Sequence, residues 1–516
     1  MNFKLACNTF IVFLIATNVY AQKQSFRFSA TVKVDKNIQE LFQEDGRMYL
    51  FLSQNPNAEP RTQTWPNPTS KTYIFAENRK KQKANASFRI DNNSKWMSTA
   101  SWSLDNVPTG EYYVQVLWDQ DQSESRIDAP GNLYSKKQKI QLNKTTDLEV
   151  VLSQSIEARK LVSHELSRVV DLKSEILSKW WNKPMYLKAA VLLPYGYDKT
   201  KAYPIRYNVA GYGGRYTRIN NLLNSKEAMN WLNSAEGPQI ITVFLDGEGP
   251  FGDSYQMDSE NSGPYGEALI KELIPHIEST YRGTDDATTR FVDGCSTGGW
   301  VSLGLQLYYP DVFNGVFSYS PDSIEFENYQ LINIYKDSNA FVNEYGYPRP
   351  VMRDTNGEPM LSLKDFIQYE NVLGDSNSYL NSGGQFSAHT ALYSPKGDNG
   401  LPKPLFDPQT GAIDAAVAEH WKKYDFKIYA QKNWATLGPK LKGKVFIWMG
   451  DMDNFYLNPA TRTFADYLEG TSNPKSDADI VFSAMEGHCR TFSHKVVFDH
   501  IQERLEEIAA EKADKK

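Results

Sequence analysis

The feature that most restricts the fold is a series of short apolar segments in the C-terminal two thirds of the chain. Seven such segments alternate with longer stretches of helical periodicity: 186–193, 205–210, 240–246, 290–294, 316–320, 444–450 and 480–485. Several of them are apolar at every position, as strands buried on both faces must be. The pattern predicts an α/β fold in which helices cover both faces of a doubly wound, mostly parallel sheet.

Residues 24–155 show a different pattern, in which short alternating runs are separated by turn residues. The run at 112–118, for example, follows a Val-Pro-Thr-Gly turn signal at 107–110. Such spacing predicts a smaller all-β sandwich domain ahead of the α/β domain. No catalytic spacing is present there, so the domain is interpreted either as a structural module or as a substrate-binding module.

A length of 516 residues exceeds what one hydrophobic core usually organises, which agrees with two domains. The charged segment 156–183 has helical periodicity and is predicted to be a helical connector, and the α/β domain then spans 184–516. Within that domain, 322–442 is rich in Asn, Gly, Pro, Tyr and Ser and has weak periodicity. This stretch is predicted to be an insertion that covers the sheet as a lid or a substrate-binding cap.

The first 21 residues are typical of an export signal, with Lys4 before an apolar stretch at 5–16 and small residues before a cleavage point after Ala21. The apolar stretch is shorter than the ~20 residues that span a bilayer, and no later segment is apolar enough. We therefore expect a secreted or periplasmic protein with no transmembrane segment in the mature chain. The formal net charge of -6 provides no basic field, which excludes nucleic acid as an expected partner.

The segment 290–294 leads through a glycine-framed turn around Ser296 into a helical pattern. Gly294 and Gly298, two residues before and after the serine, allow the tight strand-turn-helix geometry of a nucleophile elbow. The first helical N–H groups then point to where an oxyanion would develop. The sequence therefore predicts Ser296 as the nucleophile of a serine hydrolase.

An acid and a histidine follow Ser296 in the order that α/β serine hydrolases use. The strand at 444–450 is followed by Asp451 and Asp453, and the residues alone leave the choice between them open. His488 follows a glycine at the end of the next strand and is predicted to be the general base. His494 and His500 belong to the terminal helical pattern and are interpreted as surface or packing residues.

Two further features support this arrangement. A glycine-rich loop at 211–214 follows an early strand, so the N–H groups of Tyr212 and Thr297 are predicted to form the oxyanion hole, with a plain turn as the alternative. Cys295 and Cys489, the only cysteines after residue 21, flank the predicted nucleophile and base. Contact between serine and histidine would bring these neighbours within disulfide reach, so we predict a bond; two buried free thiols are the alternative.

The segment 291–299, together with 487–489, resembles the Cys-Ser, Asp, His-Cys pattern of tannase-like feruloyl esterases. The segments 186–194, 211–214 and 453–455 resemble the esterase D-like family of α/β-hydrolases. That family includes S-formylglutathione hydrolases, feruloyl and acetylxylan esterases, siderophore esterases and mycolyltransferases. The resemblance implies an α/β-hydrolase fold and places the acid three residues after Gly450, at Asp453. The chain departs from both families in its N-terminal sandwich and its long insertion.

Together these features predict a secreted serine esterase that hydrolyses a carboxylic ester through an acyl-enzyme without a cofactor or a metal. Aromatic residues in the insertion favour a small-molecule or polysaccharide ester, such as a feruloyl or acetyl ester. A siderophore (enterochelin-type) esterase, an acyltransferase and a peptidase are alternatives on the same fold. An alternative of another class is a non-catalytic binding protein with a degenerate hydrolase domain, against which the intact order of the triad argues.

Overall fold

The computed structural model describes residues 27–514 except 68–70, 95, 98–106 and 144. The predicted signal peptide, residues 1–21, lies outside this part of the chain. Within the described residues, no helix combines the length and the apolar character that crossing a membrane requires.

The N-terminal region is built from strands, as the alternating pattern predicts. Its eight strands are β1 Arg27–Val34, β2 Gly46–Ser53, β3 Thr72–Arg79, β4 Phe88–Asp91, β5 Gly110–Asp119, β6 Leu133–Ser135, β7 Gln138–Leu142 and β8 Thr145–Ser155. They form one sheet in the order β3-β2-β5-β6-β8-β1-β4, with β7 paired to β5. The rings of Phe88 in β4 and Trp118 in β5 lie with their centroids 5.8 Å apart although three strands separate β4 from β5, so the sheet folds over and encloses its apolar side chains.

The remaining strands include the central sheet of the larger region and three short hairpins. They are β9 Ser167–Ser174, β10 Met185–Leu192, β11 Ile205–Val209, β12 Ile241–Leu245, β13 Glu248–Gly249, β14 Gly252–Asp253, β15 Asp258–Ser259, β16 Gly263–Pro264, β17 Arg290–Cys295, β18 Val316–Tyr319, β19 Pro350–Arg353, β20 Pro359–Ser362, β21 Val445–Gly450 and β22 Asp479–Ser483. The central sheet has the order β22-β21-β18-β17-β11-β12-β10-β9. Its first six strands are parallel, and β10 and β9 are antiparallel.

All seven predicted strands of the α/β region are present within two residues of the predicted bounds. The strands β11, β12, β17 and β18 are buried at almost every position because helices cover both faces of the sheet. The α/β fold class is therefore confirmed.

The prediction of a helical connector at 156–183 is wrong in part. Residues Ser167–Ser174 form β9, which pairs antiparallel with β10 and extends the central sheet, and only Glu175–Trp181 are helical. Val170 and Ser174 are buried while the charged residues between them face out. The segment thus follows the two-residue period of an edge strand, which its charge content concealed.

The helices lie around the central sheet and between its strands in sequence. They are α1 Glu175–Trp181, α2 Ile219–Leu223, α3 Lys226–Leu232, α4 Tyr265–Ala268, α5 Ile274–Tyr281, α6 Thr297–Tyr308, α7 Leu363–Leu373, α8 Gln385–Tyr393, α9 Ala415–Trp421, α10 Phe426–Leu441, α11 Asn458–Glu469 and α12 His494–Asp514. Helices α7 to α10 fall between β18 and β21, within the predicted insertion at 322–442.

The insertion contacts both regions of the molecule. On one side, the Tyr49 hydroxyl donates to the Leu373 carbonyl at 2.8 Å, and Arg47 Nη2 donates to the Val372 carbonyl at 2.9 Å. On the other side, Phe426 of α10 stacks on Trp300 of α6 with ring centroids 4.6 Å apart. The end of α7 is therefore fixed to the N-terminal sheet, while α10 packs beside the helix that follows Ser296.

Candidate active site

Ser296 occupies the sharp turn between β17 and α6. Its backbone has φ 62° and ψ -128°, a conformation that a residue with a side chain rarely adopts. Backbone hydrogen bonds hold it there: its N–H donates to the Tyr319 carbonyl at 3.0 Å, and its carbonyl accepts from the Trp300 N–H at 3.0 Å. The turn presents the side chain at the carboxyl end of a central strand, where a nucleophile elbow places its serine.

The two framing glycines are required by close backbone contact. A Cβ at Gly294 would lie 2.5 Å from the Gly298 carbonyl carbon, and a Cβ at Gly298 would lie 2.6 Å from the Ala210 carbonyl oxygen. Real Cβ atoms do not approach so closely. The glycines therefore let α6 begin directly against strands β11 and β17, which explains their spacing around Ser296.

His488 and Asp453 come from the loops after β22 and β21. His488 Nδ1 lies 2.6 Å from Asp453 Oδ2, and the Asp453 side chain is fully buried. The other oxygen, Oδ1, accepts from the N–H groups of Phe455 at 2.9 Å and Leu457 at 3.3 Å. Because both carboxylate oxygens have donors, the acid is fixed in one orientation and determines which nitrogen of His488 carries a proton.

The electrostatics of His488 suit a base that becomes charged during reaction. Burial alone would lower the pKa of the His488 imidazole. The negative charge and hydrogen bond of Asp453, with a further contribution from the charge of Asp322, raise that pKa above its ordinary value of 6.5. The site therefore stabilises an imidazolium at position 488.

The structure distinguishes the two acidic residues that the sequence left open. Asp451 pairs with Arg462 and is about one third exposed, so its carboxylate is directed to the protein surface. Asp453 is the residue that contacts His488. The Arg353 guanidinium stabilises the loop between them by donating to the carbonyls of Asp453 at 2.9 Å and Asp451 at 3.1 Å.

A disulfide joins Cys295 and Cys489, whose Cα atoms are 6.0 Å apart. The bond connects the residue before Ser296 to the residue after His488, across a sequence separation of 194. The Cys489 N–H also donates to Ser320 Oγ at 3.1 Å. Two covalently linked loops thus carry the predicted nucleophile and base.

The predicted oxyanion-hole residues lie beside Ser296. A Cβ placed on Gly211 would be 3.7 Å from the Ser296 Cβ, so the glycine-rich loop at 211–214 packs directly against Ser296. Thr297 is the first residue of α6, and the first N–H groups of a helix have no partner within it. The residues of both predicted donors are therefore close to Ser296: Thr297 follows it in the chain, and Tyr212 follows Gly211, which packs against it.

Ser296 and His488 line one cavity of about 540 Å³, within the usual range for small-ligand sites. Its walls are mainly apolar and come from three parts of the chain: Trp65 of the N-terminal region, Val351, Phe366 and Phe386 of the insertion, and Phe455, Leu457 and Phe492 of the loops around His488. The insertion therefore forms part of the cavity, as the prediction of a substrate-binding cap requires.

A buried polar network that the sequence does not reveal lies at the wall of this cavity, and three of its members, Asp322, Gln385 and His389, line it. Asp322 Oδ2 accepts hydrogen bonds from the Tyr255 hydroxyl at 2.9 Å, Thr297 Oγ1 at 2.9 Å and Gln385 Nε2 at 3.1 Å. His389 Nε2 lies 3.4 Å from the same oxygen. Burial would raise the pKa of Asp322, but these hydrogen bonds, led by the one from His389, lower it below its ordinary value. An ionised carboxylate therefore holds the first residue of α6.

No sequence signal marks this network. Its members belong to different loops and helices and lie as far as 134 residues apart, from Tyr255 to His389, so only the fold brings them together. The sequence contains seven histidines, and no motif around His389 distinguishes it from the others.

Comparison with known proteins agrees with the geometry of this site. The sequence profile of the family described as "Putative esterase" matches residues 184–507, more than half of the chain. The chain belongs to this esterase family. The match covers Ser296, Asp453 and His488 as well as the insertion, and it starts at the boundary predicted for the α/β domain.

Two curated proteins are similar to parts of this esterase-family chain. An acetyl esterase of Caldicellulosiruptor saccharolyticus is 28% identical over 156 residues, which are 29% of this chain and 52% of that protein. A "Probable glutamyl endopeptidase, chloroplastic" of Arabidopsis thaliana is 21% identical over 279 residues, which are 49% of this chain and 28% of that protein. The chain thus spans about half or less of the length of these relatives.

Among solved structures, a ferulic acid esterase is similar with 16% identity and a TM-score of 0.41, covering 66% of this chain and 97% of that one.

Proposed function

We propose that this protein is a serine esterase that cleaves a carboxylic ester through an acyl-enzyme, with Ser296, His488 and Asp453 as its catalytic triad. The observation that carries the proposal is the short contact between His488 Nδ1 and the buried Asp453 carboxylate, at the cavity that Ser296 also lines. Membership of an esterase family supports the same reaction.

The reaction follows from the roles that these side chains can fill. His488 Nε2 takes the proton of Ser296 Oγ as that oxygen attacks the ester carbonyl, and Asp453 stabilises the imidazolium that forms. The N–H groups of Tyr212 and Thr297 stabilise the oxyanion. The intermediate collapses as His488 returns the proton to the departing alcohol, which leaves an acyl group on Ser296. Water, deprotonated by His488, then releases the acid and regenerates the serine.

The apolar walls of the cavity favour an ester with a ring or another bulky apolar group. Trp65, Phe366 and Phe455 provide aromatic surface next to Ser296, a type of surface on which aromatic or sugar rings stack. A feruloyl or acetyl ester of a polysaccharide has these properties. We further propose export of the protein, with a mature N-terminus at Gln22, which mass spectrometry of the exported chain would test.

Covalent labelling tests the proposed nucleophile directly. A fluorophosphonate probe should label the wild-type protein at Ser296 and should not label S296A. The matched control is S323A, because Ser323 lines the same cavity but is not at the elbow; this variant should label like the wild type. Folded wild-type protein that stays unlabelled would contradict the proposal. A screen of acetyl and feruloyl esters would then identify the substrate class.

A further inference from the structure

A second cavity, of about 160 Å³, adjoins the one that contains Ser296. It lies between the N-terminal sheet and the insertion, and both regions supply its walls. Four residues line both cavities: Trp65, Tyr212, Phe366 and Gln385. The two cavities are therefore neighbouring parts of one concave surface.

Trp65 stands at the junction and is the only one of the four that comes from the N-terminal region. Its ring makes edge contacts with Phe366 at a centroid distance of 4.9 Å and with Phe455 at 6.2 Å. Its side chain is nevertheless 39% exposed, although a tryptophan with such neighbours could bury more of its ring. The exposed part is aromatic surface available to a ligand that reaches from one cavity into the other.

Most of the charged groups around the second cavity have partners within the protein. Arg126 pairs with Asp128 at 3.2 Å. Glu370 accepts from the N–H groups of Phe386 at 2.9 Å and Ser387 at 3.1 Å, and burial raises the pKa of its carboxyl to about 7. These groups are therefore satisfied within the protein.

Arg61 is the exception. Among the described residues, no carboxylate lies within 4.0 Å of its guanidinium nitrogens, and its Nε is buried without a hydrogen-bond partner. The guanidinium carbon lies 4.0 Å from the centroid of the Tyr134 ring, which fixes the group by a cation–π contact. The Nε atom is buried, whereas Nη1 and Nη2 make no hydrogen bond among the described residues and are available to bind a carboxylate through two parallel hydrogen bonds.

We infer that the second cavity binds the part of the ester substrate remote from the scissile carbonyl, with a ring against Trp65 and a carboxylate on Arg61. This inference rests on the proposed esterase function. It assigns the N-terminal region a role in substrate specificity and identifies the substrate class as esters that carry an acidic group, such as a sugar acid. Neither Arg61 nor Trp65 takes part in the chemistry at Ser296.

Two pairs of esters that differ in one carboxylate test the inference. In the first pair the carboxylate is on the alcohol part of the ester: 4-acetoxyphenyl β-D-glucuronide is compared with the neutral glucoside. In the second pair it is on the acyl part: the mono-4-nitrophenyl ester of adipic acid is compared with the 4-nitrophenyl ester of adipic acid monoamide. The wild type should prefer the acidic member of at least one pair, and R61Q should lose about tenfold or more in kcat/KM for that member through a higher KM. R61Q should leave 4-nitrophenyl acetate hydrolysis unchanged.

The variant W65A should slow hydrolysis of both members of that pair by a similar factor, because Trp65 contacts the part that the two members share. The matched control is R89Q, because Arg89 is an exposed arginine of the N-terminal region that lines neither cavity; it should behave like the wild type. The inference is overturned if neither pair is discriminated, or if R61Q slows acidic and neutral members equally.

A binding measurement separates this inference from the proposed function. Calorimetry on S296A should show that 4-hydroxyphenyl β-D-glucuronide binds more tightly than the glucoside, and R61Q in the same background should abolish the difference. Equal binding of the two glycosides, combined with equal binding of the two 4-nitrophenyl esters to S296A, would refute the carboxylate site whatever the activity. Preferential glucuronide binding by a protein that fails fluorophosphonate labelling would support the binding site and reject the esterase proposal.

Discussion

Removal of the Cys295–Cys489 disulfide should strongly lower the free energy of unfolding. The bond closes a loop with a sequence separation of 194 residues. The chain-entropy treatment of such a cross-link gives about 5 kcal/mol, an upper value because residual structure in the unfolded chain reduces the gain. The loss should appear in full when either cysteine is replaced, since one substitution already breaks the bond.

Guanidinium denaturation of C295A, C489A and the double variant measures this effect. Each single variant should lose about as much stability as the double variant, so the two substitutions should be strongly non-additive. Treatment with a reductant is the internal control: it should destabilise the wild type to the level of the double variant and leave that variant unchanged. Additive losses, or a wild type indifferent to reductant, would refute the reasoning.

Three further predictions concern the proposed triad and the residues that support it. D453N should lower kcat by about 10⁴-fold because His488 would lose the partner that fixes its tautomer, whereas D451N should have little effect in the same ester-hydrolysis assay. His488 must be neutral to accept a proton and its pKa is raised, so kcat/KM should fall as pH drops through that pKa, which gives the pH–rate profile an acidic limb. The variant D322N removes a negative charge near His488, lowers the pKa of the imidazole and should move this acidic limb to lower pH. An unmoved limb would contradict the contribution of Asp322. G298A should abolish labelling by fluorophosphonate because its Cβ would overlap strand carbonyls and displace the elbow, and labelling at the wild-type rate would show that the elbow tolerates a side chain.

Much of the fold could be predicted because local sequence patterns have local physical causes. Strands such as 205–210 and 290–294 are continuously apolar because both faces of the central sheet are covered, so their positions could be predicted to within two residues. The edge strand Ser167–Ser174 faces solvent on one side and carries charges, and its pattern was mistaken for a helix. Propensity and charge decide little at a sheet edge, where pairing with β10 determines the structure.

The candidate triad was also accessible from the sequence, because its members follow strands whose carboxyl ends meet at one edge of the sheet. The choice between Asp451 and Asp453 was not, since both follow the same strand and only the resemblance to a family favoured Asp453. The structure adds a physical reason: two backbone N–H groups and His488 surround Asp453, while Asp451 pairs with Arg462.

The sequence by itself determined the glycine-framed turn at Ser296, the order of the proposed acid and base after it, and the two cysteines beside Ser296 and His488. These features depend on spacing along the chain, which the sequence states directly. Only the tertiary structure decided that Asp322 and His389 support the first turn of α6. It also decided that Trp65 lines the cavity of Ser296 and that Arg61 lines the neighbouring cavity, although both belong to the N-terminal region. Such contacts join residues far apart in sequence, so they arise from the packing of the insertion between two sheets and leave no periodic pattern.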